Sequence, residues 1–227
     1  MTEQTTQKKY ELLKDDTVEH FGRTLYRIKA LITFGLVGAG QLGGYIETEK
    51  NLDHSGNAWV YDNALVYDDA RVYGNACVYD DAWVYGDARV YGNACVYDNA
   101  RVFGNAWMYG NARVYGNARV YGDACVYGDA WVYGNACVYG NARVFGNAWV
   151  RSLAVISERK MIFWASNVGS ENGTLTVSNG KFGLIVTRGC FTGTVDEFLS
   201  KSKEVHDDKT HHEYKLLIEV AQSRILN

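Results

Sequence analysis

At 227 residues the chain has room for one or two domains, and its formal net charge of −3 speaks against bulk nucleic-acid binding, which needs a basic surface. No stretch approaches the roughly eighteen consecutive apolar residues of a membrane span, and the polar start MTEQTTQKKYELLKDD lacks a signal-peptide core. The five cysteines are odd in number and show no metal-ligand spacing, so a cytoplasmic protein with free thiols is expected.

Residues 1–20 are polar and read as frayed, or helical at most. Residues 24–34, TLYRIKALITF, alternate and read as strands. Gly35, Gly38, Gly40, Gly43 and Gly44 follow. No Gly-Lys-Ser/Thr comes after them and no helical pattern opens, so neither a phosphate loop nor a dinucleotide fingerprint is indicated. These glycines are expected to let the chain turn into the next segment.

From Asn57 to Arg151 the chain repeats a six-residue unit, Ala-x-Val-Tyr-Gly-Asn, without losing register. Met108 stands in for one Val, Phe103 and Phe145 for two Tyr, and Asp for many of the Gly and Asn. A short fixed period is the mark of a solenoid. Side chains alternate across a strand, so Ala and Val share one face, and x and Tyr the other. The x position is Trp, Arg, Cys or Leu, and since Arg is rarely buried unpaired, x and Tyr are expected outside. Gly-Asn is turn chemistry, with both residues accepting positive φ. Three such sides close a triangular coil of eighteen residues around a narrow Ala/Val prism. The absence of proline fits a chain whose strand N–H groups must all donate.

An eighteen-residue coil sorts the x residues into three walls. Wall one carries Trp59, Cys77, Cys95, Arg113, Trp131 and Trp149. Wall two carries Leu65, Trp83, Arg101, Arg119 and Cys137, and wall three Arg71, Arg89, Trp107, Cys125 and Arg143. A Tyr/Phe column runs beside each. Tyr, Trp and Arg are the residues of interface hot spots and of base-stacking surfaces. The candidate binding residues are therefore Trp83, Tyr85, Arg101, Arg119 and Tyr121 on wall two, and Arg71, Arg89 and Trp107 on wall three. Asp62, Asp80 and Asp98 share a corner column and read as a solvated acidic edge rather than a cation site. Cys77 and Cys95 share a column as free thiols.

Residues 152–227 change character. FWAS, TLTVS and FGLIVT read as strands, with turns at Ser170 to Gly173 and at Asn179-Gly180. Thr194, with Glu197 three residues on, makes a capping box for a helix to about His206. A second helix, from about Thr210 to Ile225, carries Tyr214, Leu217, Ile218 and Ala221 on one face. The resulting fold is mainly β: an N-terminal cap (1–50), a triangular β-solenoid (51–156) and a small α+β domain with two terminal helices (157–227).

The repeat resembles that of hexapeptide-repeat proteins. Val60 to Ala64 fits their aliphatic and small positions and departs where Tyr61 replaces a small residue. The resemblance implies a left-handed β-helix. The segment YRIKALITFGLVGAGQLGGYIETEKNLDHSGNAWVYDNA resembles the N-terminal module of putative hexapeptide-repeat transferases and of phage and prophage proteins of unknown function. The C-terminal part, with Gly189-Cys190-Phe191, Asp196-Glu197-Phe198 and His212-Glu213-Tyr214, resembles a small domain common in phage proteins. Acyltransferases of this kind use a histidine base near a subunit boundary. Here the repeats contain no histidine and no interrupting loop, and His54 alone lies near an inter-coil groove. Cys190 reads as a buried turn residue rather than a nucleophile paired with His206.

The expected function is a non-catalytic scaffold without metal or cofactor, phage- or prophage-encoded. It would self-associate, with a trimer favoured, and bind a host protein or a nucleotide signal in counter-defence. An acyltransferase acting at a subunit interface is the alternative.

Overall fold

The structure, a computed structural model, describes residues 8–226. The repeat folds as three parallel sheets. Wall one is a six-stranded sheet from Trp59–Val60 to Trp149–Val150, and wall three a five-stranded sheet from Arg71–Val72 to Arg143–Val144. Wall two runs from Leu65–Val66 to Val155–Ile156. Each x N–H donates to the Ala carbonyl of the next coil and each Tyr N–H to the Val carbonyl, as in Trp59 to Ala76 at 3.1 Å and Tyr61 to Val78 at 2.8 Å. This ladder leaves few strand donors orphaned. The inward Ala and Val columns, with Met108, are at most 1% exposed throughout. Each buried Val contributes roughly 1.5–3 kcal/mol, so the core's strength grows coil by coil.

The corners divide the labour differently from the sequence reading. Only the first corner residue takes positive φ: Gly at most corners, and Asp62, Asp68, Asp80 and Asp98 with φ of 53° to 59°. Asn in the repeats does not. Its side chain serves instead as an amide ladder. Asn57 Nδ2 donates to Asn75 Oδ1 at 3.1 Å, Asn75 to Asn93 at 3.1 Å, Asn93 to Asn111 at 3.0 Å, and Asn111 to Asp129 at 2.8 Å. The corner aspartates accept from the next coil's backbone, as when Gly116 N–H donates to Asp98 Oδ2 at 3.0 Å.

Of residues 1–20, expected frayed or helical, the first seven lie outside the described residues, and the rest depart from that expectation. Tyr10–His20 is a strand, β1, paired antiparallel with β2 (Arg23–Ala30), and β2 pairs antiparallel with β3 (Leu42–Ile46). β3 joins wall two in parallel, Tyr45 opposite Leu65 and Ile46 opposite Val66. The strand forms because β2, joined through β3 to the end of wall two, offers a free edge of unpaired backbone groups, which outweigh the weak preference of a polar sequence. Gly43 and Gly44 mark a close approach: a Cβ at Gly43 would lie 2.5 Å from Val60 O and 2.8 Å from the Trp59 ring. Tyr10 and Phe34 close over Trp59, which is fully buried although it occupies an x position. Leu65, also at x, is buried with Leu25. The outward rule therefore fails at the first x positions of walls one and two, where the cap covers them, and holds at Arg71 on wall three.

At the far end, Ile162–Val168, Gly173–Gly180, Gly183–Arg188 and Phe191–Gly193 form an antiparallel sheet. Its first hairpin turn, at residues 169–172, matches the reading. The second lies at Lys181-Phe182, because Asn179 and Gly180 remain paired with Leu184 and Gly183. Helix α1 (Val195–Val205) starts at the Thr194–Glu197 capping box, and α2 (Asp208–Ile225) buries Tyr214, Ile218 and Ala221 against the sheet. Arg151 stands where the wall-one Tyr column would continue. It donates to Tyr133 Oη at 3.1 Å, to Cys190 O at 2.7 Å and to Thr192 Oγ1, tying this domain to the last coil.

Candidate binding walls and the cap cleft

Within each wall the aromatic rings stack one per coil. Centroids are 4.7–5.1 Å apart and planes lie within 11°, from Tyr67 to Tyr139 on wall two, Tyr73 to Phe145 on wall three and Tyr79 to Tyr133 on wall one. The coil rise sets this spacing, near the 4.7–4.9 Å of neighbouring strands. The rings desolvate one another's hydroxyls, and burial, with help from neighbouring rings, pushes Tyr67, Tyr79 and Tyr115 above the ordinary tyrosine value, Tyr115 to about 12.

A raised pKa means the folded state holds its proton longer than the unfolded chain. That stability is complete below pH about 10 and is lost as pH climbs toward 12. Lys9 acts oppositely at lower pH. Burial lowers its ammonium to about 8, so folding gains between about 8 and 10 before the tyrosines take over. An alkaline titration followed by tyrosinate absorbance and circular dichroism should show both change together, above pH about 10. Gradual ionisation near 10 with an intact fold would mean the rings are solvated.

The predicted wall-two residues do not form one open surface. Arg101 lies over the Trp83 ring at 4.1 Å. The cap hairpin tip covers Trp83 further, with His20 edge-on at 4.5 Å and Phe21 at 6.3 Å. Burial, then the Arg101 charge, lowers the His20 imidazole pKa. Tyr85 and Tyr121 have ring neighbours on both faces. Arg119, the register partner of Arg101, remains exposed.

Wall three is open along its length. Arg71, Arg89, Trp107 and Arg143 are all exposed, Trp107 to 40%. Arg89 leans on Trp107 at 5.1 Å, while Arg71 and Arg143 have no hydrogen bond or ion pair among the described residues. At its upper end lies a cleft of about 420 Å³, lined by Glu49, Lys50, Asp53, His54, Arg71, Tyr73 and Arg89 among others. The cleft exists because the cap coil is two residues longer than the rest. Tyr45 pairs with Leu65 and Leu52 bridges Val72, whereas Asn57 is again in step with Asn75. The extra residues loop out over Asp53 to Ser55. Only Arg71, Arg89 and His54 in this cleft were singled out by sequence. Lys50, Asp53 and Tyr73 were missed, and the two-residue break in phase between Ile46 and Ala58 was the available signal.

His54 is held rather than free. Its Nδ1 accepts the Lys9 backbone N–H at 3.2 Å, and its ring stacks on Tyr10 at 4.3 Å. The ring proton then sits on Nε2, 3.7 Å from Glu49 Oε2. Cys190, expected buried, is exposed on its turn, and lines a second cleft with His206 and Arg188. No hydrogen bond joins Cys190 Sγ to His206 among the described residues. Cys77 and Cys95 are in-register neighbours and free thiols, as expected.

The repeats match the family model described as YdcK Beta solenoid repeat over residues 70–86, 82–97, 94–110, 108–120, 112–128, 118–134 and 136–152. The chain is a β-solenoid repeat protein. No curated protein matches it. The matched segments all lie within the solenoid and leave the N-terminal cap and the C-terminal sheet outside, while the cleft joins cap residues to Arg71, Tyr73 and Arg89 of the matched segments. No helix is long and apolar enough to cross a membrane among the described residues.

Proposed function

We propose that this protein is a non-catalytic binding scaffold of the left-handed hexapeptide-repeat kind, phage- or prophage-encoded, that engages an acidic host protein through wall three. The reading rests on the condition of that wall, where exposed arginines without carboxylate partners alternate with a Trp and a stacked Tyr column. Rigid aromatic and guanidinium groups make strong interface anchors because little conformational entropy is lost on docking. A row of like charges disfavours pairing this wall with its own copy. A homotrimer would instead use wall one, whose x column carries a single arginine, Arg113. In its sharper form the reading is counter-defence, the partner being a bacterial immune factor.

Native mass spectrometry of the chain purified from a bacterial host should find a co-purified protein that the double variant Trp107→Ala/Arg143→Glu loses. A homo-oligomer alone, unchanged by those substitutions, would sink the reading. The acyltransferase alternative is weakened by His54, whose Nδ1 lone pair is already engaged by Lys9. Coenzyme A that stays bound through dialysis would restore it.

A further inference from the structure

We infer that the cleft between the cap and the upper rungs of wall three binds a phosphorylated aromatic small molecule of nucleotide size. Arg71 and Arg89 are register partners on adjacent parallel strands, so their Cα atoms lie about 4.8 Å apart and both side chains leave the same face. Two guanidiniums at this spacing repel unless an anion bridges them. Arg71 has no carboxylate partner among the described residues. Arg89 lies over the Trp107 ring at 5.1 Å, and its guanidinium has no hydrogen bond or ion pair among the described residues. Lys50 adds a third cation to the lining.

The two carboxylates there are already engaged. Glu49 pairs with Lys8 at 2.7 Å, and that hydrogen bond foremost holds it below the usual carboxylate range. Burial works against charge on Asp53, but it accepts the Ser55 N–H at 3.0 Å and hydroxyl at 2.7 Å, which keep it ionised.

The aromatic half of the site is a missing rung. Tyr73 stacks on Tyr91 at 4.8 Å, and no ring covers its other face among the described residues. The cap residue that should supply one is Asp53: its N–H donates to Val72 O, as Tyr73 N–H donates to Val90 O. On wall two the corresponding place above Tyr67 is taken by His20, edge-on at 5.2 Å. A planar ring on Tyr73 would extend the ladder by one rung. Arg71 and Tyr73 sit two residues apart on one strand face, about 6.6 Å, which one ribose spans between base and phosphate. The pairing of Arg101 with Trp83 and the cap tip puts this site on wall three rather than on the wall-two arginines.

Isothermal titration of the full chain with AMP and with GMP tests the site. The expected result is binding of at least one nucleotide, with adenosine, ribose 5-phosphate and inorganic phosphate each about tenfold weaker or more. Arg71→Ala/Arg89→Ala and Tyr73→Ala should each weaken binding by about tenfold or more, while Lys203→Ala, on α1 and outside the cleft, leaves it unchanged. Circular dichroism checks that the surface variants stay folded. No binding of either nucleotide up to about 1 mM overturns the inference, as does affinity undiminished in the double arginine variant. Inorganic phosphate binding as tightly as AMP overturns it too, since Tyr73 would then have no part. Partner capture is read at Trp107 and Arg143, so failure here and failure of the scaffold reading are separable.

Discussion

Trp59→Ala should lower stability by about 3–5 kcal/mol, the usual cost of emptying a buried aromatic site. The loss should fall first on the N-terminal cap. Trp59 is the place where cap and first coil share a core: Tyr10 meets it edge-on at 6.1 Å and Phe34 at 5.4 Å, with Gly43 lying directly against its ring. Without the indole, β1 and β2 keep the β3 pairing, the Leu25–Leu65 contact, the His20 contact with Trp83 and the Arg23 ion pairs, but lose the core they share with wall one. Hydrogen exchange should then show the amides of Arg23–Ala30 opening well before those of the central coils. Trp59→Phe is the control. It retains most of the apolar volume and removes the indole N–H, which is buried without a partner among the described residues, so it should cost far less. Equal losses for Ala and Phe would mean that the cap is not held by packing on this ring.

Gly110→Val should be nearly as damaging, with a different cause. Gly110 holds φ of +71°, and a Cβ there would stand 2.9 Å from the Gly128 nitrogen. A side chain at positive φ costs about 1–2 kcal/mol before any clash, and a β-branched one more. The coil below cannot yield without breaking its own ladder, so about 3 kcal/mol or more is expected in urea melts. Gly110→Asp should be milder. Asp98 already occupies an equivalent corner at φ 57° and uses its carboxylate to accept the N–H of Gly116. If Val and Asp prove equal, backbone strain is not what keeps these corners glycine.

The conserved spacing within the chain itself made the solenoid legible. Ala, Val and Tyr recur so strictly that the period of six and the coil of eighteen follow from alternation and corner chemistry, and the three walls sort as expected, with Cys77 opposite Cys95 and Arg101 opposite Arg119. The Thr194–Glu197 box likewise set the start of α1. Those features depend on neighbours in sequence or on a repeated unit, so local rules suffice.

What lay outside the repeat needed tertiary structure. The polar segment Tyr10–His20 becomes a strand because β2, which extends wall two through β3, presents an open edge, a fact about the partner rather than about the segment. Trp59 and Leu65 are buried because the cap folds over them, though their pattern places them outward. Trp83 loses its open face to His20 for the same reason. The cleft at Arg71, Tyr73 and Arg89 arises from two extra residues in the cap coil, which the sequence carries only as a break in phase between Ile46 and Ala58 and whose shape the period does not give. Periodicity by itself determined the core and the walls of this protein. Which stretches of wall remain open to a partner was decided by how the two ends fold back, since covering an edge satisfies backbone groups that the sequence of the edge cannot satisfy alone.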